Sequence, residues 1–238
     1  MATLRGLARR CLSSRAFALP PFSRGLVAAG SAVIALIDPT RADMIALLGE
    51  STGEYALRRL RDTMVQTPDG AWLLAHRPRV RGPRFEAGAL QRAHSPSSLG
   101  GALGSFLASH DFAAEERTPV RFVVDEELAY VLTRYREVHD VWHVLSGLPP
   151  TVLGEIALKW FEMVQTGLPV AALSALAGPL RLSPADARTL ARDLLPWAVE
   201  AGARAVPLLT VRYEELLDVP LEEVRRHLRF SAAPTLSY

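Results

Sequence analysis

The sequence predicts an all-α fold, a single-domain helical bundle, from three observations. Apolar residues recur at helical spacings along most of the chain, between cap residues and Gly or Pro stops. No internal repeat and no convincing period-2 alternation competes with that pattern. The 238 residues, 49% hydrophobic and 22% charged, suit one folded domain with a substantial core.

Charge sets the N-terminus apart. The first 37 residues hold five arginines (Arg5, Arg9, Arg10, Arg15 and Arg24) and no acid, so the sequence pI of 9.0 belongs to this end. Taking these five from the 27 basic residues leaves 22 against 25 acidic ones. Nucleic acid is therefore not an expected partner, because that needs a basic stripe or patch. Arginine, serine, alanine and leucine without acids, able to form an amphipathic helix, are the composition of a mitochondrial transit peptide, expected over residues 1–24, with 25–238 as the folded domain. The alternative is a frayed basic tail. A secretory signal is disfavoured, since no uninterrupted apolar run precedes Pro20 and Pro21. Cys11, the single cysteine, lies in this segment, which excludes a disulfide or a Cys-ligated zinc in the remainder. No run reaches the roughly 18–20 apolar residues of a membrane span. Leu26 to Ile37 comes nearest and is expected as a buried or interfacial helix.

Arg41 to Thr63 carries Met44, Leu47, Leu48, Tyr55, Leu57 and Leu60 at helical spacings, with a break between Gly49 and Gly53. Pro68, Asp69 and Gly70 read as a turn, and His76 to Gly101, with Pro78, Pro83 and Pro96, as a long irregular connection. A helix follows from about Leu103 to His110. Asp125 then opens DEELAYVLTRYREVHDVWHVL, with acids in its first turn, Leu128, Val131, Leu132, Tyr135 and Val138 on one face, and Gly147 as a stop. Pro149 and Pro150 make the turn, and Thr151 is the N-cap of TVLGEIALKWFEMVQTG. Ser183, Pro184 and Asp186 start a helix that runs to about Ala203 with a kink at Pro196. A last helix covers Glu222 to Leu228.

The chemistry-bearing stretch is HDVWHVLSGLPPTVLGE, residues 139 to 155. At about 100° per residue, His139 and His143 are separated by about 40°, and Asp140 shares roughly a 100° sector with them. Glu155 is four residues past Thr151 and His143 four before Gly147, so in an antiparallel hairpin the two lie at similar depth from the turn. Packed helix axes are about 8–10 Å apart, a gap that His and carboxylate side chains bridge through a metal. The pattern thus places a metal site at the helix-turn-helix hairpin, with His139, Asp140, His143 and Glu155 as ligands. Two imidazoles and two carboxylates suit zinc or another first-row divalent ion better than calcium or magnesium. The alternative is two surface histidines with capping carboxylates.

The helix carrying Glu155 is apolar around most of its circumference, while Glu155, Lys159, Glu162 and Thr166 form one narrow polar stripe. Such a helix is expected to be buried, with its stripe toward an internal site. The other reading is a solvated edge carrying a Glu155 to Lys159 i,i+4 pair. Lys159 is the single lysine in the chain, against 26 arginines. It is the candidate catalytic residue, as a holder of a substrate carboxylate or phenolate, with a plain salt bridge at the core edge as the alternative.

VRFVVDEELAYVLTRYREVHDVWHVLSGLPPTVLGEIALKWFEMVQTGLPV, with His-Asp-x-x-His, eleven residues, then Glu, resembles the signature segment of the Coq4 family of mitochondrial coenzyme Q (ubiquinone) biosynthesis proteins. The likeness extends over roughly residues 24–228, including LGESTGEYALRRLRDTM, GPLRL and LLPWAVEAG. It implies an α-helical, zinc-binding protein, peripheral on the matrix side of the mitochondrial inner membrane. It also implies work beside the other enzymes of the coenzyme Q biosynthetic complex on a polyprenylated benzoate lipid intermediate. The implied activity is that of a carboxy-lyase, the C1 decarboxylation of a 4-hydroxy-3-methoxy-5-polyprenylbenzoate, and the family's metal ligands fall on His139, Asp140, His143 and Glu155. Three places depart from the family pattern: Val124 stands where an acid is usual, SGLPP replaces an LGMPT-like turn, and TVRYEELLDVP is diverged. These bear on partner contacts and the C-terminal helix.

Four protein ligands would close a tetrahedral zinc, which is the habit of structural sites, so catalysis needs five-coordination or the loss of one carboxylate from the set. Two other function classes stand beside the lyase. One is a lipid-holding organiser of the complex with a structural zinc. The other is a zinc protease, since HDVWH resembles His-Glu-x-x-His with Asp140 in the place of the general base.

Overall fold

The computed structural model of the chain describes residues 20–37, 42–110 and 119–235. Most of the transit segment expected over residues 1–24, Cys11 included, lies outside the described residues. Helix α1 (Pro21–Ile37) packs on α2 (Ala42–Thr52), which gives way at Gly53 to α3 (Glu54–Val65). α4 (Pro68–His76) folds back on α3, and α5 (Ala87–Ala93) pairs closely with α6 (Leu99–Ser109). α7 (Glu126–Ser146) and α8 (Val152–Thr166) make the predicted hairpin. They are followed by α9 (Pro169–Ala177), α10 (Pro184–Thr189), α11 (Leu195–Arg204) and α12 (Leu221–His227). Among the described residues the one β contact is an isolated bridge between Ser98 and Pro220, so the all-α prediction holds.

α7 is the central element and touches α3, α4, α6 and α8. Its predicted face is buried: Leu128, Val131, Leu132, Tyr135 and Val138 all belong to the core, joined by Trp142 and Leu145. Burying a side chain of this kind contributes about 1.5–3 kcal/mol relative to leaving it in water. Three charged side chains of α7 also tie it to remote segments. Glu137 accepts from Arg79 (Nε 2.8 Å) and from the Val80 amide (3.1 Å). Arg136 donates to Glu50 (3.0 Å), whose other oxygen accepts the Arg121 and Phe122 amides at 2.7 Å. Arg134, with no exposed surface, donates to both oxygens of Glu214 (2.8 and 3.1 Å) and to the Val211 carbonyl (2.6 Å).

The ends of the hairpin follow local chemistry. Asp125 caps α7 by accepting the Glu127 and Leu128 amides (2.9 and 3.1 Å). Gly147 ends it at φ 73°, a left-handed conformation that costs glycine nothing and other residues a Cβ clash. Thr151 caps α8 by accepting the Gly154 amide at 3.2 Å.

Elsewhere the structure corrects the sequence. Pro68, Asp69 and Gly70 are the first turn of α4 and not a turn between helices: Thr67 caps it, and a proline at the helix start loses no hydrogen bond. The stretch from His76 to Gly101 holds α5 and the capped start of α6, where Ser98 accepts the Gly101 amide. The helix expected from Pro184 to Ala203 is α10, a π-helical turn over Leu190–Leu194, and α11. Pro196 lacks the N–H of an α-helical bond to residue 192, and the wider turn before it takes up the clash. No described helix is long and apolar enough to cross a membrane.

Candidate metal centre

The hairpin brings His139, His143 and Glu155 together, with one ligand-type atom from each lying within 4.8 Å of the others. His143 Nε2 is 3.1 Å from Glu155 Oε1, and His139 Nε2 is 3.5 Å from Glu155 Oε2. The two rings stand edge-on, 4.8 Å apart and 89° inclined. The depth matching expected across the Pro149–Pro150 turn is therefore present. Asp140 is buried on α7 but is not part of this group. It lies about 100° round the helix from His139, and its side chain is the shortest of the four expected ligands.

The hydrogen bonds on the far side of each ring fix where the protons sit. His143 Nδ1 donates to the Leu148 carbonyl at 2.9 Å, and His139 Nδ1 to Glu162 Oε1 at 2.6 Å. Both Nε2 lone pairs then point at an anionic carboxylate. For neutral imidazoles that arrangement is repulsive, and it is relieved by a proton or by a cation placed among the three groups. Two imidazole nitrogens and one carboxylate oxygen, each ring held from behind by an acceptor, are the donor set and support of a zinc-type ion. The residues present fit such an ion.

Charges in the metal-free centre agree. Burial and nearby Lys159 push the His139 imidazole down, but the Glu162 and Glu155 carboxylates outweigh them and hold it up at about 8. Burial would raise Glu155, yet the charge and hydrogen bond of His139, with help from His143, keep it far below the usual carboxylate range. Glu162 is likewise drawn down to about 2 against its burial by Lys159 and His139. The Tyr135 phenol is pushed well up by burial and by the Glu162 carboxylate.

Lys159 Nζ lies 2.7 Å from Glu162 Oε2, so its ion pair is with the residue three further along and not with Glu155. It also approaches Tyr135 Oη and His139 Nδ1, both at 3.4 Å. The far half of the polar stripe of α8 is thus buried, Glu162 and Thr166 having almost no exposed surface, while Glu155 and Lys159 stay partly open to solvent. The sequence places Glu162 on the stripe and Tyr135 on the buried face of α7, but not the hydrogen bonds by which Tyr135 donates to Glu162 and Glu162 holds His139. The available signal was position: Glu162 sits on the stripe two turns past Glu155, and Tyr135 one turn before His139. Phe106 of α6, itself partly buried, stacks its ring 5.3 Å from that of His143.

A family model, coenzyme Q (ubiquinone) biosynthesis protein Coq4, matches residues 14–234. The chain belongs to the Coq4 family. Curated relatives carry the description ubiquinone biosynthesis protein COQ4 homolog, mitochondrial. That of Bos taurus is 49% identical over 209 residues, 88% of this chain and 78% of its own length. The Homo sapiens relative is 47% identical, over 90% of this chain and 80% of its own. A Schizosaccharomyces japonicus Coq4 protein is 41% identical over 92% of both chains. The fold recurs in a crystal structure of a Nostoc punctiforme chain described as a ubiquinone biosynthesis protein, with a TM-score of 0.68 at 20% identity over 84% of this chain and 95% of that one. The resemblance carried by the signature segment is thus membership of a family of ubiquinone biosynthesis, with relatives named as mitochondrial.

Proposed function

We propose that this Coq4-family chain catalyses the zinc-dependent C1 decarboxylation of 4-hydroxy-3-methoxy-5-polyprenylbenzoate. It does so as a peripheral protein on the matrix side of the mitochondrial inner membrane, within the multi-enzyme complex of coenzyme Q synthesis. The observation that carries the reading is the three-residue group of His139, His143 and Glu155. An ion held by these three residues alone would keep a position for substrate, the habit of catalytic and not of structural zinc. Zinc bound there would supply Lewis acidity to a substrate oxygen.

The remaining work falls to the chain's own side chains. In the reaction the bond from C1 to the carboxylate breaks, carbon dioxide leaves, and a proton takes its place at C1. The electron pair of that bond stays at C1 and takes up the proton, and the Lys159 ammonium, one turn from Glu155 and partly open to solvent, would hold the substrate carboxylate or phenolate in place before the bond breaks. Buried Glu162 and Thr166 form the inner end of the stripe, and the Phe106 ring stacks on His143. A polyprenyl tail needs an apolar surface, and α1 exposes Leu26, Val33 and Ile34, which suits an interfacial helix.

The test is carbon dioxide release from the polyprenylated substrate by purified, zinc-loaded protein. His143→Ala and Glu155→Ala are expected to abolish it, and Lys159→Arg to lower it strongly. Release that survives loss of the zinc ligands would remove zinc from the reaction, and its absence from fully loaded protein would leave the lipid-holding organiser as the function.

A further inference from the structure

We propose that Glu162 and Lys159 form the positioning pair of the metal centre. Glu162 fixes the His139 ring so that Nε2 meets the ion, and Lys159 limits how much negative charge that carboxylate lends to the ring. The inference rests on the zinc reading above. It starts from an asymmetry between the two imidazoles: His143 Nδ1 leans on a neutral backbone carbonyl, that of Leu148, while His139 Nδ1 leans on a carboxylate. An anionic acceptor at Nδ1 makes Nε2 the stronger donor to a metal, and it also locks the tautomer.

Glu162 has no exposed surface, and a bare carboxylate buried there would be costly. Its oxygens are instead filled from three sides. His139 Nδ1 takes Oε1 at 2.6 Å, Lys159 Nζ takes Oε2 at 2.7 Å, and the Tyr135 hydroxyl donates to the same Oε2. Thr166 Oγ1 donates to the Glu162 backbone carbonyl at 2.6 Å, which fastens this turn of α8. Lys159 touches no other carboxylate in this network, so its charge is spent on Glu162 and reaches the metal ligands through it. Both are positioning residues here, independent of whether Lys159 also meets substrate.

The experiment measures zinc affinity by competition with a chromophoric chelator in the wild-type chain, Glu162→Gln and Lys159→Met, alongside nitrogen NMR of the histidine rings in zinc-loaded protein. Glu162→Gln is expected to lose affinity by about 10- to 100-fold, the range for outer partners of metal-binding histidines. Lys159→Met is expected to gain affinity, on the order of tenfold, the scale on which a unit charge a few ångströms away acts on a dication even at water's dielectric. In the wild type, His139 carries its proton on Nδ1 and the metal on Nε2. A merely structural pair would weaken zinc in both variants and leave the tautomer unspecified. A folded Glu162→Gln with wild-type affinity, a Lys159→Met with equal or weaker affinity, or zinc on Nδ1 of His139 would overturn the proposal. Should Glu162→Gln fail to fold, Lys159→Met and the tautomer decide it. A wild-type chain that takes up no zinc is a different result and removes the metal reading as well.

Discussion

Replacing Gly154 with alanine is expected to pull the metal centre apart while leaving every ligand in the chain. A Cβ at this position falls 2.0 Å from the Pro149 carbonyl oxygen, where contacts under 3.0 Å are essentially never seen. The turn and the first turn of α8 must therefore part by the difference, 3.0 less 2.0, or about 1.0 Å. Because that junction closes the hairpin, the movement separates Glu155 from His143, which stand 3.1 Å apart. Metal and catalytic constellations tolerate only about 0.5 Å of such error. Zinc affinity is expected to fall on the order of 10- to 100-fold, as when a supporting partner is lost. Overpacking of this kind costs about 1–3 kcal/mol. At about 2–4 °C per kcal/mol for a chain of this size, Tm falls by roughly 2–12 °C. Chelator competition and a thermal scan followed by helical circular dichroism read the two effects. Gly30→Ala in α1, where a Cβ meets nothing within 4 Å, is the control, expected to be neutral or to stabilise by up to about 1 kcal/mol. A Gly154→Ala chain with wild-type zinc affinity and wild-type Tm would refute the idea that this glycine sets the ligand register.

Glu214→Leu leaves the Arg134 guanidinium buried without its carboxylate and is expected to destabilise by about 3–5 kcal/mol, whereas Arg134→Met combined with Glu214→Leu recovers most of the loss. Urea unfolding of the two variants checks this, and a double variant no better than the single one contradicts it. Near neutral pH the metal-free His139, held at about 8, carries a proton that zinc must displace, while Glu155 is already ionised. Apparent zinc affinity is therefore expected to rise with pH up to about 8 and then to level off, with a proton released at His139. Calorimetry in buffers of different ionisation enthalpy reads that proton, and zinc binding at neutral pH without its release speaks against the charge state assigned to His139.

The α7–α8 hairpin is legible in the sequence because its determinants are local: Asp125, Gly147 and Thr151 each act within four residues of themselves. The stretch from His76 to Gly101 is not, because partners far along the chain help to hold it. Leu99 and Gly100 donate to the carbonyls of Val219 and Leu217, and Ser97 accepts from Leu221. In the site, spacing identifies His139, His143 and Glu155, since helical rotation and distance from the turn are sequence properties. The same spacing admits Asp140 equally well, yet the three-residue group forms without it. Glu162 is legible as a member of the stripe, but its part is not, because that depends on which residues of α7 it faces, and packing alone decides that.

The three clasps on α7 give the centre one deeply anchored jaw and one more open jaw. Arg134, Arg136 and Glu137 tie their helix to segments 58 to 86 positions away in the chain, so the two imidazoles cannot shift unless several parts of the fold open together. Glu155 has no such anchorage. It rides on the first turn of α8, next to exposed Val152, and its side chain is the most open of the three ligands. An ion of the kind proposed would then enter most readily from the carboxylate side. Amide exchange should be slowest along α7 and measurably faster at the start of α8, with zinc narrowing the gap by closing the vice.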